Sequence, residues 1–233
     1  MCLAMVQPAG EIIPADAIEC GWQMNDDGAG VAYCDRGKVR IVKGLTTAAA
    51  TIRAYNRIRA AAKDSPILLH LRLATHGKKD AANTHPFWIT PNESAMIHNG
   101  IIHTPITNAA RSDTWHYAQM LRKELPNAAR VPDAVTCGVI AADIGVGNKI
   151  AILDAARDFT IIGEKQGVWD AGIWYSNEYY TDRWVHSSGY VERCDRCYEE
   201  LHADGEIDSG YCTDCLQSFL ANCEYLSCLA RNE

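Results

Sequence analysis

A cysteine stands directly behind Met1, so removal of that methionine would place a thiol and a free α-amine on one residue, Cys2. Such a residue is a nucleophile that carries its own base, because the thiolate is the attacking form and an α-amine titrates near neutrality, at about 7.7–8.0. An ordinary buried cysteine is the competing reading, since free Cys is among the most buried residue types. Arg72 emerges from the apolar run Ile67–Leu73, where a guanidinium is costly unless it meets an anion. A substrate carboxylate and a structural carboxylate partner both satisfy that demand. Asn99-Gly100 fits a hairpin turn, and equally fits a side-chain amide and an unhindered N–H that together hold an oxyanion. Far along the chain, Cys194-x2-Cys197 and Cys212-x2-Cys215 are separated by fourteen residues. Two CxxC knuckles at that distance are the pattern of a structural Zn²⁺ held by four thiolates. Cys223 and Cys228 could form a second site with His186 or His202, but a buried role in a last helix suits Cys223 better.

The bulk properties narrow the setting. The chain has 233 residues, 48% of them hydrophobic, which accommodates one substantial core and a small appendage. The first 35 residues contain no Lys or Arg and no long apolar run, and no segment approaches transmembrane length. A cytoplasmic protein with reduced thiols is the expectation, with no membrane partner. The net charge of −7 is concentrated in the tail, where ten acidic residues after His186 face Arg193, Arg196 and Arg231. An acidic tail is a poor electrostatic match for nucleic acid, so nucleic acid is not expected as a partner.

Periodicity and turn residues indicate the elements that must position these groups. Strands are expected at Gly30–Tyr33, Val39–Val42, Ile67–Leu73, Ala95–His98, Lys149–Leu153, Phe159–Gly163 and Gly172–Ser176. A helix is expected over Thr47–Lys63, with Ile52, Tyr55 and Ile58 on one stripe. A second begins at a Ser112 cap and carries Trp115, Ala118, Leu121 and Leu125 at helical spacing. The order argues for a layered mixed fold, without the regular alternation of a doubly wound parallel sheet. Trp169, Trp174 and Tyr175 read as core residues more readily than as a ligand pocket.

Taken in order, five segments resemble the glutaminase domain of the class II glutamine amidotransferases, an N-terminal-nucleophile family. They are Met1-Cys2, the run NDDGAGVAY from Asn25 to Tyr33, HLRLATHG with the later Asn83-Thr84-His85-Pro86, His98-Asn99-Gly100, and Ser112-Asp113-Thr114. The resemblance spans roughly residues 1–177 and is compatible with Ser176-Asn177 in a final strand. It implies an α+β fold, a four-layer αββα sandwich of the Ntn-hydrolase type over residues 1–185, followed by a small zinc ribbon over 186–233.

The same resemblance implies an enzyme that hydrolyses glutamine to glutamate and ammonia through a Cys2 thioester. Asn99 and Gly100 would hold the oxyanion, Arg72 the substrate α-carboxylate and Asp113 its α-ammonium. Thr75, His76 and Gly77 would shape the wall around the substrate. His70, His85 and His98 fall where the family has structural histidines, and they and His103 are expected in hydrogen-bonded rather than metal-binding roles. The chain departs from the family in having Leu73 where an aromatic residue often follows the arginine, and Asn25-Asp26 where an Arg-Gly pair often supports the amine. Structural zinc is the expected metal, with no organic cofactor. A separate synthetase or amidoligase is expected to receive the ammonia, because only 56 residues follow Asn177. Two alternatives stand beside this reading: an N-terminal-nucleophile amidohydrolase for another amide, and a catalytically silent, zinc-stabilised interaction module.

Overall fold

The computed structural model describes residues 2–74 and 78–182, together with residues 213, 214 and 217. The chain divides into two units, Met1–Val185 and His186–Glu233. In the first, helices and strands alternate irregularly: β1 Leu3–Gln7, α1 Ala15–Met24, β2 Ala29–Asp35, β3 Lys38–Leu45, α2 Ala48–Ala61, β4 Ile67–Leu71, β5 Phe87–Thr90 and β6 Ser94–Asn99. These are followed by α3 Asp113–Glu124, α4 Ala134–Ile144, β7 Lys149–Asp154, β8 Phe159–Ile162, β9 Val168–Asp170 and β10 Ile173–Tyr175. The result is a mixed α/β fold. Its strands form a six-stranded sheet in the order β3-β2-β4-β1-β10-β9 and a four-stranded sheet in the order β5-β6-β7-β8, with neighbouring strands antiparallel.

Successive residues of a strand point to opposite faces, and the core divides accordingly. On one face of the larger sheet, Leu3, Met5, Val31, Leu69, Leu71 and Tyr175 pack with Ile18 of α1 and Tyr55 and Ile58 of α2. On its other face, Ala4, Val6, Ala32, Leu68 and Trp174 cluster with Ala95, Ile97, Ala151 and Leu153 of the smaller sheet. The outer face of that sheet places Phe87, Met96, Ile150 and Ile152 against Tyr117 and Leu121 of α3 and Ile140 and Ile144 of α4. Trp174 and Tyr175 are core residues as expected, whereas Trp169 is exposed and donates from Nε1 to Glu164.

Both expected helices form, capped by Thr47 and Ser112, whose side chains accept from the N–H groups of Ala50 and Trp115. All seven expected strands are present, with shifted ends. The run Ile67–Leu73 leaves the ladder after Leu71, because Leu73 N–H turns to the Cys2 sulfur. Strands β1, β5 and β9 and helices α1 and α4 were not anticipated. Residues Thr75, His76 and Gly77 and the four CxxC cysteines lie outside the described residues, as do Cys223 and Cys228. Among the described residues no helix is long and apolar enough to cross a membrane.

Candidate active site

β1 lies inside the larger sheet, paired with β4 on one side and β10 on the other, and the Leu3–Leu71 register sets Cys2 beside the residues that leave β4. Leu73 N–H donates to Cys2 Sγ at 3.3 Å, and the thiol lies 3.4 Å from the Leu73 carbonyl, to which it donates. The Cys2 backbone is held by Asn177, whose Nδ2 donates to the Cys2 carbonyl at 2.8 Å. Burial pushes the pKa of the Cys2 thiol up, while the Leu73 N–H pulls it down. Arg72 lowers it further and Asp113 raises it, so both charges reach the sulfur.

Arg72 is buried, 3% exposed, and its position is set by the segment between α1 and β2. Its N–H donates to Gly28 O at 2.9 Å, and Asp27 N–H donates to Arg72 O at 3.0 Å. The Asp27 carboxylate accepts from Ala74 N–H at 2.8 Å and pairs with Lys79 at 2.7 Å. Burial alone would raise the Asp27 pKa, but the bonds from Lys79 and Ala74 more than offset it and leave the carboxyl below its ordinary value. The NDDG segment therefore acts as a bracket for the arginine. The guanidinium donates from Nη1 to Lys78 O at 3.1 Å.

Asn99 ends β6 and is fully buried. The pair Asn99-Gly100 does not close a hairpin, since β6 pairs with the much later β7, Asn99 opposite Lys149. Ser176 orients the amide. Its Oγ accepts from Asn99 Nδ2 at 2.7 Å and from Ala4 N–H at 2.9 Å, which leaves the second Nδ2 hydrogen without a partner among the described residues. Gly100 has φ +141°, a region open to glycine, and a Cβ there would run into the Asn148 side chain. Asp113 opens α3 and is also buried; its Oδ2 accepts from Ile102 N–H at 2.8 Å, which ties the chain just beyond Gly100 to the helix start. A carboxylate in the first turn also suits the helix dipole.

Two polar systems support this arrangement. His98 contacts Thr114 Oγ1 from Nδ1 and Asn148 Oδ1 from Nε2, each at 2.9 Å. Because an amide oxygen only accepts, Nε2 carries the proton. His70 Nε2 donates to His98 O at 2.9 Å, and His98 N–H donates to His85 Nδ1 at 3.3 Å. The rings of His70 and His85 lie 4.0 Å apart. Burial holds all three histidines neutral, with the His70 pKa lowered to about 3 and those of His85 and His98 also below the usual value. The second system centres on buried Asn83, whose Nδ2 donates to Lys78 O and to Ala110 O and whose Oδ1 accepts from Ser112 N–H. One asparagine thus links the acceptor of Arg72 to the cap that precedes Asp113.

Of the residues singled out in the sequence, Arg72 and Asp113 both act electrostatically on Cys2, and Asn99 joins the Cys2 strand through Ser176. His70, His85 and His98 hydrogen-bond as expected, and His103 is exposed. Ser176, Asn148 and Asn83 have no role assigned from the sequence, although Asn83 and Ser176 stand in segments that fit the resemblance. Their partners lie 77, 50 and 29 residues away in the chain.

Residues 19–115 match the family model of the class II glutamine amidotransferases. Over that segment the chain resembles a class II amidotransferase domain. The match contains Arg72, Asn99, Gly100 and Asp113 and begins after Cys2. Among solved structures, glutamine phosphoribosylpyrophosphate amidotransferase from B. subtilis, complexed with ADP and GMP, is similar at 16% identity and a TM-score of 0.41 over 76% of this chain and 42% of its own. A glutamine aminotransferase class-II domain protein from Silicibacter pomeroyi is similar at 18% identity and a TM-score of 0.31 over 66% of this chain and 73% of its own. The chain therefore spans about two fifths of the first of these proteins. No curated protein matches it.

Proposed function

We propose that this protein hydrolyses glutamine and that Cys2, once Met1 is removed, is the nucleophile. The observation that carries the reading is a thiol at the start of a central strand, bonded to Leu73 beside Arg72 and within electrostatic reach of Arg72 and Asp113, in a chain whose residues 19–115 match the class II amidotransferases. A partly buried thiol with a raised pKa needs a base. The freed α-amine of Cys2 takes the thiol proton as sulfur bonds to the side-chain amide carbon of glutamine. The carbonyl oxygen becomes an oxyanion, held by Asn99 Nδ2 and Gly100 N–H. Collapse breaks the C–N bond, and the proton passes from the α-amine to the departing nitrogen, which leaves as ammonia. Water then adds to the thioester by the same route and releases glutamate and the thiol.

Arg72 holds the α-carboxylate of glutamine and Asp113 its α-ammonium, so an amino acid is read from both ends. On the resemblance, Thr75, His76 and Gly77 would shape the wall around the substrate. The three core clusters support a four-layer αββα sandwich as the frame for this chemistry. Ammonia lost to water at neutral pH is protonated and no longer nucleophilic, so a separate synthetase or amidoligase would receive it. Ammonia release from glutamine, absent in Cys2→Ala, tests the reading; release that survives Cys2→Ala by more than about a thousandth would remove Cys2 from the chemistry.

Cys194, Cys197, Cys212 and Cys215 offer four thiolates in two CxxC knuckles, a donor set that fits Zn²⁺. The metal would stabilise the tail and take no part in hydrolysis. One zinc per chain by elemental analysis, lost in Cys194→Ser with glutaminase activity retained, is the expected result; no zinc in the purified protein would end the assignment.

A further inference from the structure

A second site lies where the edge strands of the two sheets approach the start of α3. The cleft there encloses about 330 Å³ and is lined by Lys43 of β3, Phe87 and Trp88 of β5, Arg111, and Trp115 and Gln119 of α3. Its volume falls in the range of small-molecule sites. Two cations share it. Lys43 lies over the Phe87 ring, 4.8 Å from Nζ to the centroid, and Arg111 lies over Trp115 at 5.5 Å. Neither forms an ion pair with a carboxylate among the described residues. Burial and then Arg111 push the Lys43 pKa down to about 8, with Asp80 opposing weakly. The two positive charges therefore repel one another, and an anion between them would relieve both.

The cations are also held in place. Lys43 Nζ donates to Ala82 O at 3.3 Å and Thr84 O at 3.2 Å, the residues on either side of Asn83. Asn83 in turn binds Ala110 O at 2.8 Å and Ser112 N–H at 2.9 Å, the residues on either side of Arg111. A single buried asparagine thus fixes the separation of the lysine and the arginine. Preorganised charges of this kind lose little freedom on binding a ligand.

We infer that this cleft is a binding site for a small phosphate monoester that carries a planar ring. A phosphate monoester bears about −1.5 to −2 charge at pH 7, which matches two cations better than the single charge of a carboxylate. Arg presents a fork of donors to its oxygens and Lys a point charge. The half-buried indoles of Trp88 and Trp115 supply flat apolar surface for the ring, and Gln119 a further polar contact. A nucleotide and a simple aryl phosphate share this chemistry.

Calorimetric titration of the full chain with uridine 5′-monophosphate, phenyl phosphate, inorganic phosphate and phenol tests the inference without reference to glutamine hydrolysis. At least one of the two esters is expected to bind with one-to-one stoichiometry, tenfold or more tighter than inorganic phosphate or phenol. Preference for the nucleotide would identify a nucleotide site, and equal affinity a general aryl phosphate site. Arg111→Gln and Trp115→Leu are each expected to weaken binding at least fivefold, and Arg111→Lys less than Arg111→Gln. Neither Arg111 nor Trp115 is a buried core residue, and an unchanged melting curve for either variant certifies its fold. Esters that bind no better than inorganic phosphate, or an affinity unaffected by both Arg111→Gln and Trp115→Leu, would overturn the site.

Discussion

Acidification should destabilise this protein below about pH 6.5, and His70 contributes a share of the loss that can be worked out. The ring is sealed between the sheets, donates from Nε2 to His98 O, and leaves Nδ1 without a hydrogen-bond partner among the described residues. Its pKa in the folded protein is lowered to about 3, against about 6.5 in the unfolded chain. Below pH 6.5 the unfolded chain binds a proton that the folded protein refuses, so the stability from this residue is complete above about 6.5 and is lost as pH falls toward 3. At pH 5, about 1.5 units below the unfolded pKa, the loss is about 2 kcal/mol at 1.36 kcal/mol per unit. His85 and His98 are depressed in the same direction and add to it. Urea unfolding of the wild type at pH 8 and pH 5 should show the fall. His70→Gln keeps a side-chain N–H for the His98 carbonyl and removes the titration, so it should shrink the difference by about 2 kcal/mol. A wild type equally stable at pH 8 and pH 5, or a difference that His70→Gln leaves intact, would refute this account.

Ser176→Ala strips one acceptor from two buried donors, Ala4 N–H and Asn99 Nδ2. An unmade buried hydrogen bond costs about 1–3 kcal/mol, so the variant should unfold at lower urea, and its kcat for glutamine should fall more than its KM rises. Unchanged stability and kcat would mean that Ser176 does not hold the amide. Gly100→Ala places a side chain at φ +141° and against Asn148, so its melting temperature should drop by several degrees or the protein should fail to accumulate. A variant as stable as the wild type would show that this turn is not constrained as described.

The parts of the fold that the sequence reveals are the helices with one wet and one dry face and the apolar runs bounded by turn residues, such as β4, β6 and β7. Helix α2 announces itself through Ile52, Tyr55 and Ile58 on one stripe, and α3 through Ala118 and Leu121 behind its Ser112 cap. Strand β1, Leu3–Gln7, is buried in the same way as β4 but follows Met1-Cys2 directly, with no turn cluster ahead of it to bound the run. Helix α4 hides for a different reason: only Ile140 and Ile144 of its eleven residues are buried, while Val135 and Val139 face solvent. The site divides in the same way. Arg72, Asn99, Gly100 and Asp113 stand in short runs whose chemistry is local. Ser176 and Asn148 act only through pairing between distant strands, which residue types and spacing do not encode.

Labelling with a glutamine-analogue electrophile, followed by peptide mass spectrometry, bears most directly on Cys2. One adduct per chain is expected, on a Cys2 that has become the terminal residue through loss of Met1, with suppression of that adduct by excess glutamine. An unmodified Cys2, an adduct on another cysteine, or a reactive chain that retains Met1 would contradict it.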